Sequence, residues 1–515
     1  MAAATVGDAT KAISFAHQAG DQSLAGLAFE QAAKYYEQAL ALLAHHDRDA
    51  ELLRCDLLIA LSDAKRRAGD TDYRHTVAQA VQLARSLGDA KRFALAVLGS
   101  ARPEHPFANA NLVDQNLIQL YEEAIAALEN EDENLLRAKL FFHLAGEMLY
   151  TPERERRKEL SRQAVAIARQ CGDSAVLAQA LHIYASAIND PTTLNERLAL
   201  SAEQGALADE LGSLEVRWAA AYQRLGALLE SGDIEGAGRM LSRMKQFASK
   251  LRQPFFSWAT DHALAMMSVM SGAPGAEQEV LAAFHVGTAG GQPEARQAYL
   301  SQLSVIRRDQ GRHAELIEAL RGFADTFSHL PVWRVILAGL YCETDQLDEA
   351  RAQFDKVAAC DFKIPLDWTW ASTVISLAQV CADVGDQTVA ELFYPQLQSV
   401  AGQVGVTGIG LVCYGSLAFP CGQLAACLHR WGEAEKYFDQ AMTMNARIGA
   451  RPYLVRTQRA YSNMLLDRDS PGDRARAAKL VEEGRAEAEL LGMKREIDRF
   501  DRLGRRMTAP ETAIL

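Results

Sequence analysis

A short side-chain pattern returns along this chain and constrains it more than any other feature. It is a small residue, a large one four positions on, and a third residue, small in the clearest copies, three beyond that. The pattern reads Ala32, Tyr36, Ala39 within Phe29–Leu40, and Ala434, Phe438, Ala441 near the other end. With a larger third residue it reads Ala350, Phe354, Val357, and looser copies are Ala237, Leu241, Met244 and Ala390, Tyr394, Leu397. Offsets of four and three place all three residues on one face of a helix. The small residues let the two helices of a hairpin approach closely, and the large one fills the groove between neighbours. From Ala350 to Ala390 to Ala434 the steps are 40 and 44 residues, a period that belongs to stacked helical repeats.

Apolar residues elsewhere recur at three and four, as in Leu53, Leu57, Leu58 and Leu61, and no sustained strand-like alternation is found. Gly-Asp pairs punctuate the helices at Gly69-Asp70, Gly88-Asp89, Gly172-Asp173, Gly232-Asp233 and Gly385-Asp386. Glycine supplies the left-handed residue that ends one helix, and aspartate caps the next. Only 14 prolines in 515 residues leave room for long helices. The expectation is an all-α fold, with about twenty helices paired into stacked hairpins. It takes residues 1–515 as one array of about ten helix pairs, clearest at 29–40, 331–358, 371–400 and 415–445, with no domain boundary demanded.

The small–aromatic–small copies resemble the second helices of tetratricopeptide repeats. Gly422, twelve residues before Ala434, matches the glycine of the first helix. That resemblance implies hairpins stacked into a right-handed superhelix, a solenoid whose first helices line a concave groove. Three segments carry a narrower resemblance: Gly20–Ala33, Arg307–Arg312 and Asn445–Thr457. They are similar to the C-terminal helical-repeat regions of bacterial AAA-type ATPase and LuxR-type transcriptional regulators, which implies sensing of an inducer or partner. The chain has no GxxxxGK[ST] phosphate loop and no evident basic recognition helix, so ATP hydrolysis and direct DNA binding do not carry over.

Charge agrees with that limit. Lys and Arg number 54 against 66 Asp and Glu, a balance of −12, whereas nucleic acid and anionic membrane surfaces call for a cationic excess. No apolar run is long enough to span a bilayer, and the start lacks a signal-peptide pattern. The eight cysteines form no CxxC and no disulfide framework, so buried, reduced thiols in a cytoplasmic protein are expected.

Motifs with chemical promise resolve into structural roles. Gly405-Val-Thr-Gly-Ile-Gly410 has its glycines in the wrong order for a dinucleotide site and reads as a loop between two helices. Asp467–Asp473 lacks the ligands of a calcium loop at Pro471 and Ala478; Pro471-Gly472 instead turns the chain before the last helix, with Asp473 capping it. His45, His46, Asp47 and Asp49 read as a solvated helix terminus, and Cys413, Cys421 and Cys427 as buried apolar residues. Arg154–Lys158 reads as a solvated face. Trp368 and Trp370 point apart, so at least one belongs to the core. No metal site and no cofactor are expected.

Counting back from the small residues of each second helix nominates groove positions: Tyr222 and Glu230, Arg308 and Asp309, Gln379 and Asp383, and Gln423. A second candidate is Arg451, Tyr453 and Arg456, where Pro452 starts a helix whose N-terminus and guanidinium would hold an anion. The reading is a non-catalytic binding, sensor or scaffold module for a protein, a peptide or a small inducer. The alternative is an enzyme whose superhelix encloses a pocket for acid–base or cyclisation chemistry. Oligomeric state stays open.

Overall fold

The computed structural model describes residues 6–43, 48–101, 113–328, 330–358, 362 and 364–508. The chain divides into two compact units, Met1–Ala187 and Ile188–Leu515. His45, His46 and Asp47 lie outside the described residues. No described helix is long and apolar enough to cross a membrane.

The first unit runs α1 (Val6–Ala25), α2 (Phe29–Leu42), α3 (Arg48–Ala68), α4 (Tyr73–Leu87) and α5 (Ala90–Leu98). It continues with α6 (Gln115–Ala127), α7 (Asn134–Glu147), α8 (Arg154–Cys171) and α9 (Ser174–Ala187). Each helix packs on the next, and α3, α5, α7 and α9 also touch in succession. These first helices therefore form one layer, and α2, α4, α6 and α8 the other. The turns use the expected device: Gly88 ends α4 at φ 65°, and the Asp89 carboxylate accepts from Arg92 N at the start of α5. Arg157 departs from the solvated face expected of its segment. Its guanidinium is buried and donates to the carbonyls of Ala187, Met148, Leu149 and Thr151, tying α8 to its neighbours.

The second unit begins with α10 (Leu194–Leu211), α11 (Leu214–Ser231), α12 (Ile234–Leu251), α13 (Pro254–Ser271), α14 (Ala276–Ala289) and α15 (Ala295–Asp309). Next come α16 (Ile317–Thr326), α17 (Pro331–Glu343), α18 (Leu347–Ala358), α19 (Trp370–Val384) and α20 (Gln387–Gln398). Strands β1 (Val404–Thr407) and β2 (Val412–Ser416) precede α21 (Ala418–Cys427), α22 (Trp431–Arg447), α23 (Arg451–Arg468), α24 (Asp473–Leu491) and α25 (Lys494–Thr508). α23 returns to pack on α13, and α25 on α15, so this unit closes on itself.

The packing explains the recurrent pattern. A Cβ added to Gly422 would stand 2.8 Å from the Phe438 ring; one on Gly20 would stand 2.5 Å from Tyr36, and one on Gly484 2.5 Å from Phe500. In each case the aromatic lies sixteen residues after the glycine and is buried (438−422, 36−20, 500−484). Ala338 with Phe354 and Ala378 with Tyr394 repeat the spacing. The tetratricopeptide-like register is therefore physical: the second helix lays its large side chain against a position where the first helix has almost none.

The segment Gly405–Gly410, read as an interhelical loop, is a correction. It lies in an antiparallel hairpin, with Val404 opposite Ser416, Val406 opposite Cys413 and Thr407 opposite Val412. Gly408 and Gly410 turn the chain at φ 59° and 74°. All four residues of β1 are buried. A strand buried on both faces shows no polar–apolar alternation, which hid it in the sequence.

The hairpin fills the interior of the second unit. Ile409 packs so close to Gly226 of α11 that a Cβ there would come within 3.1 Å of it. The Gln302 amide donates to the carbonyls of His262 and Leu411 at 2.8 and 3.0 Å. Asn445 Oδ1 accepts from Ser416 N at 2.8 Å, and the Trp368 carbonyl accepts from Gly408 N. These side-chain and backbone partners satisfy groups that the short strands leave unpaired.

Candidate binding site

The inner helices of the second unit bring together residues far apart in sequence. Arg308 and Asp309 end α15, Glu343 ends α17, Gln379 and Asp383 lie on the last turns of α19, and Arg456 is on α23. Arg308 donates to Gln379 and faces Glu343 at 3.4 Å, while the Gln379 amide donates to Glu343 at 2.7 Å. From α25, Arg499 closes on Glu343 at 2.8 Å and Arg495 on Asp345 at 3.1 Å. Glu496 accepts from Arg459 at 2.7 Å and from Arg499 at 3.2 Å. Arg456 donates to Asp309 and stacks over the Tyr453 ring, 4.7 Å from its centroid.

Glu343 is the hub, with only 2% of its surface exposed. Burial alone would raise its pKa, but Arg308 and Arg499 outweigh it and hold the carboxyl well below the usual range. Asp383 behaves oppositely. Its side chain reaches solvent, yet the protein crowded around it desolvates the carboxyl and pushes its pKa up against the pull of Arg499. Arg308 is driven down by burial and then by the like charge of Arg456. Burial also lifts the Tyr453 phenol, to about 12.

Five of the ten nominated residues thus converge: Arg308, Asp309 and Gln379 directly, and Arg456 with Tyr453 through Asp309. Asp383 joins them electrostatically. The other four stand apart. Tyr222 is buried against Trp218, ring centroids 5.0 Å apart. Glu230 is consumed in a buried, two-pronged ion pair with Arg197 of α10. Gln423 is buried in α21 with its Oε1 unpartnered. Arg451 is exposed and pairs with Glu487 at 2.6 Å, so it does not join Tyr453 and Arg456 as an anion cradle at the start of α23.

Sequence reading missed Glu343, Arg459, Arg495, Glu496 and Arg499. For Arg495, Glu496 and Arg499 the signal was an arginine-rich last helix with buried Phe500, whose period places Arg495 and Arg499 on one face. Asp473 also differs from its expected role. It is the first residue of α24 and grips Arg468 at 2.7 and 2.8 Å. Of the two tryptophans, Trp370 is core, while Trp368 lines a cavity of about 20 Å³ with Trp333, Ser301, Ser304, Ser372 and Tyr414. That volume holds about one water.

No protein-family model matches the sequence, and no curated protein matches it. Distant structural similarity exists. The crystal structure of the APC/C hetero-tetramer Cut9-Hcn1 shares 13% identity over 96% of each chain, with a TM-score of 0.45. A Rap protein complexed with competence and sporulation factor shares 11% identity over 85% of this chain and 98% of that one, with a TM-score of 0.32. Naa15/Naa10 bound to HypK-THB shares 13% identity over 98% and 91%, with a TM-score of 0.21.

Proposed function

We propose that the chain is a non-catalytic scaffold that recognises a protein or peptide partner on the inner layer of its first unit, and that it serves bacterial regulation. The supporting observation is the surface of α3. Leu52, Asp56, Ile59, Asp63 and Arg66 are all half-buried and share one face. Beside that face, Leu57, Leu61 and Ala64 join one core cluster and Cys55 and Leu58 the next, on which Ile59 also rests, and Asp56 holds Arg92 of α5 in a two-pronged ion pair. A face of mixed apolar and charged residues suits a partner that needs both burial and orientation. The interior of the second unit holds its own hairpin, which leaves the first unit as the side for an extended partner. The resemblance drawn from sequence favours the regulatory setting.

A photo-crosslinking residue in place of Ile59 tests this in cells, with the exposed Gln79 of α4 as the control position. Adduct formation at 59 and not at 79, weakened by Arg66→Glu, is the expected result. No adduct at 59, or equal adducts at both positions, sinks the reading.

A further inference from the structure

Arg456 is 1% exposed, and only its Nη2 has an acceptor, on Asp309. Its Nε and Nη1 are buried without a hydrogen-bond partner. Buried donors left unsatisfied are costly, and a guanidinium loses more than a neutral group. Ring stacking on Tyr453 orients this arginine but does not satisfy its N–H groups. Arg308 lies near enough for the two positive charges to repel each other. Tyr414 of β2 packs edge-on to Tyr453, centroids 6.4 Å apart, and so adds the hairpin to the surroundings. Arg308 is 22% exposed and Asp383 is open to solvent, so the cluster borders solvent on the Arg308 side.

We propose that the space between Arg308 and Arg456, bordered by Tyr453 and Tyr414, binds the carboxylate of a small organic acid. A single negative charge would take the free N–H groups of Arg456 and relieve the repulsion between the two arginines. Aromatic edges suit the organic part of such a ligand. A phosphate dianion fits less well, because Asp309 and Glu343 already act on both arginines and Asp383 acts on Arg308. This site is separate from the partner face on α3, so either assignment stands or falls alone.

Saturation-transfer NMR on the intact chain, with acetate and benzoate as probes, tests the site. Transfer to both probes is expected, unaffected by equimolar inorganic phosphate. Arg456→Gln is expected to weaken benzoate binding by about tenfold or more. Should that variant fail to fold, Arg308→Gln, at a position partly open to solvent, gives the same readout. Three results overturn the proposal: no transfer to wild type, displacement of benzoate by phosphate, or undiminished binding in a variant that keeps its native unfolding midpoint.

Discussion

Glu343 has Arg308, Arg495 and Arg499 around one buried carboxylate. Among the described residues, removing its charge leaves Arg308 without a carboxylate partner and Arg495 and Arg499 with one each, on Asp345 and Glu496. Glu343→Gln is therefore expected to destabilise the fold by about 3–5 kcal/mol, the usual cost of breaking a buried ion pair from one side. Urea unfolding at neutral pH measures it, and a loss below about 1 kcal/mol would show that water solvates the cluster. The same residue sets a pH dependence. Glu343 and Glu496 are held below their ordinary values, and Glu277 is held at about 2 by Arg307 and Gln310. A depressed carboxyl contributes stability that is fully present above the unfolded pKa and is lost as pH falls toward the folded one. Asp383, raised by desolvation from the surrounding protein, works in the opposite sense and is relieved on protonation. Stability of the wild type should fall below about pH 5, and Glu343→Gln should flatten that fall. Parallel pH profiles for the two proteins would remove Glu343 as a cause.

Among the elements, the hairpin β1–β2 separates what sequence could reveal from what it could not. The helical hairpins were legible because their information is local. A glycine or alanine sixteen residues before an aromatic fixes one helix against the next, as Gly422 and Phe438 show. Gly-Asp pairs mark the turns with equally local chemistry. The hairpin lacks such a mark, because its strands are short and enclosed. Its partners are also distant in sequence, such as Gln302 for Leu411 and Asn445 for Ser416. The ionic cluster was half legible for the same reason. A first-helix count found Arg308 and Gln379, and the helix start at Pro452 pointed to Arg456, but no local rule pairs Arg499 with Glu343 across 156 residues. Asn445 offers the element-scale test. Asn445→Ala leaves Ser416 N buried without its acceptor, at an expected cost of about 1–3 kcal/mol. Hydrogen exchange should lose protection in β2 while α2 and α4 of the first unit keep theirs. Unchanged protection of the Ser416 amide would mean that the hairpin is held by packing alone.

At the scale of the whole chain, each of the two compact units carries its own core. In the first, separate clusters centre on Tyr36 and on Tyr121. In the second, one large cluster runs from Leu300 to Leu503 and a smaller one joins Val412 to α13 and α15. Closure of the second unit depends on its last helix, because α25 supplies both Phe500 and two of the three arginines that meet Glu343. All of these partners lie within Ile188–Leu515, and that segment, produced alone, is expected to unfold in one cooperative transition with native near-UV circular dichroism. Ending it at Met493 removes Phe500 from the Gly484 position and leaves Glu343 without two of its arginines. Helical signal should then fall by little more than one helix, while the unfolding midpoint drops sharply and dye-binding apolar surface appears. If the shortened segment keeps the midpoint of the longer one, α25 is an appendage and closure of the unit does not stabilise it. If the longer segment is already molten, its core is incomplete without Met1–Ala187, and the stability of the second unit is borrowed.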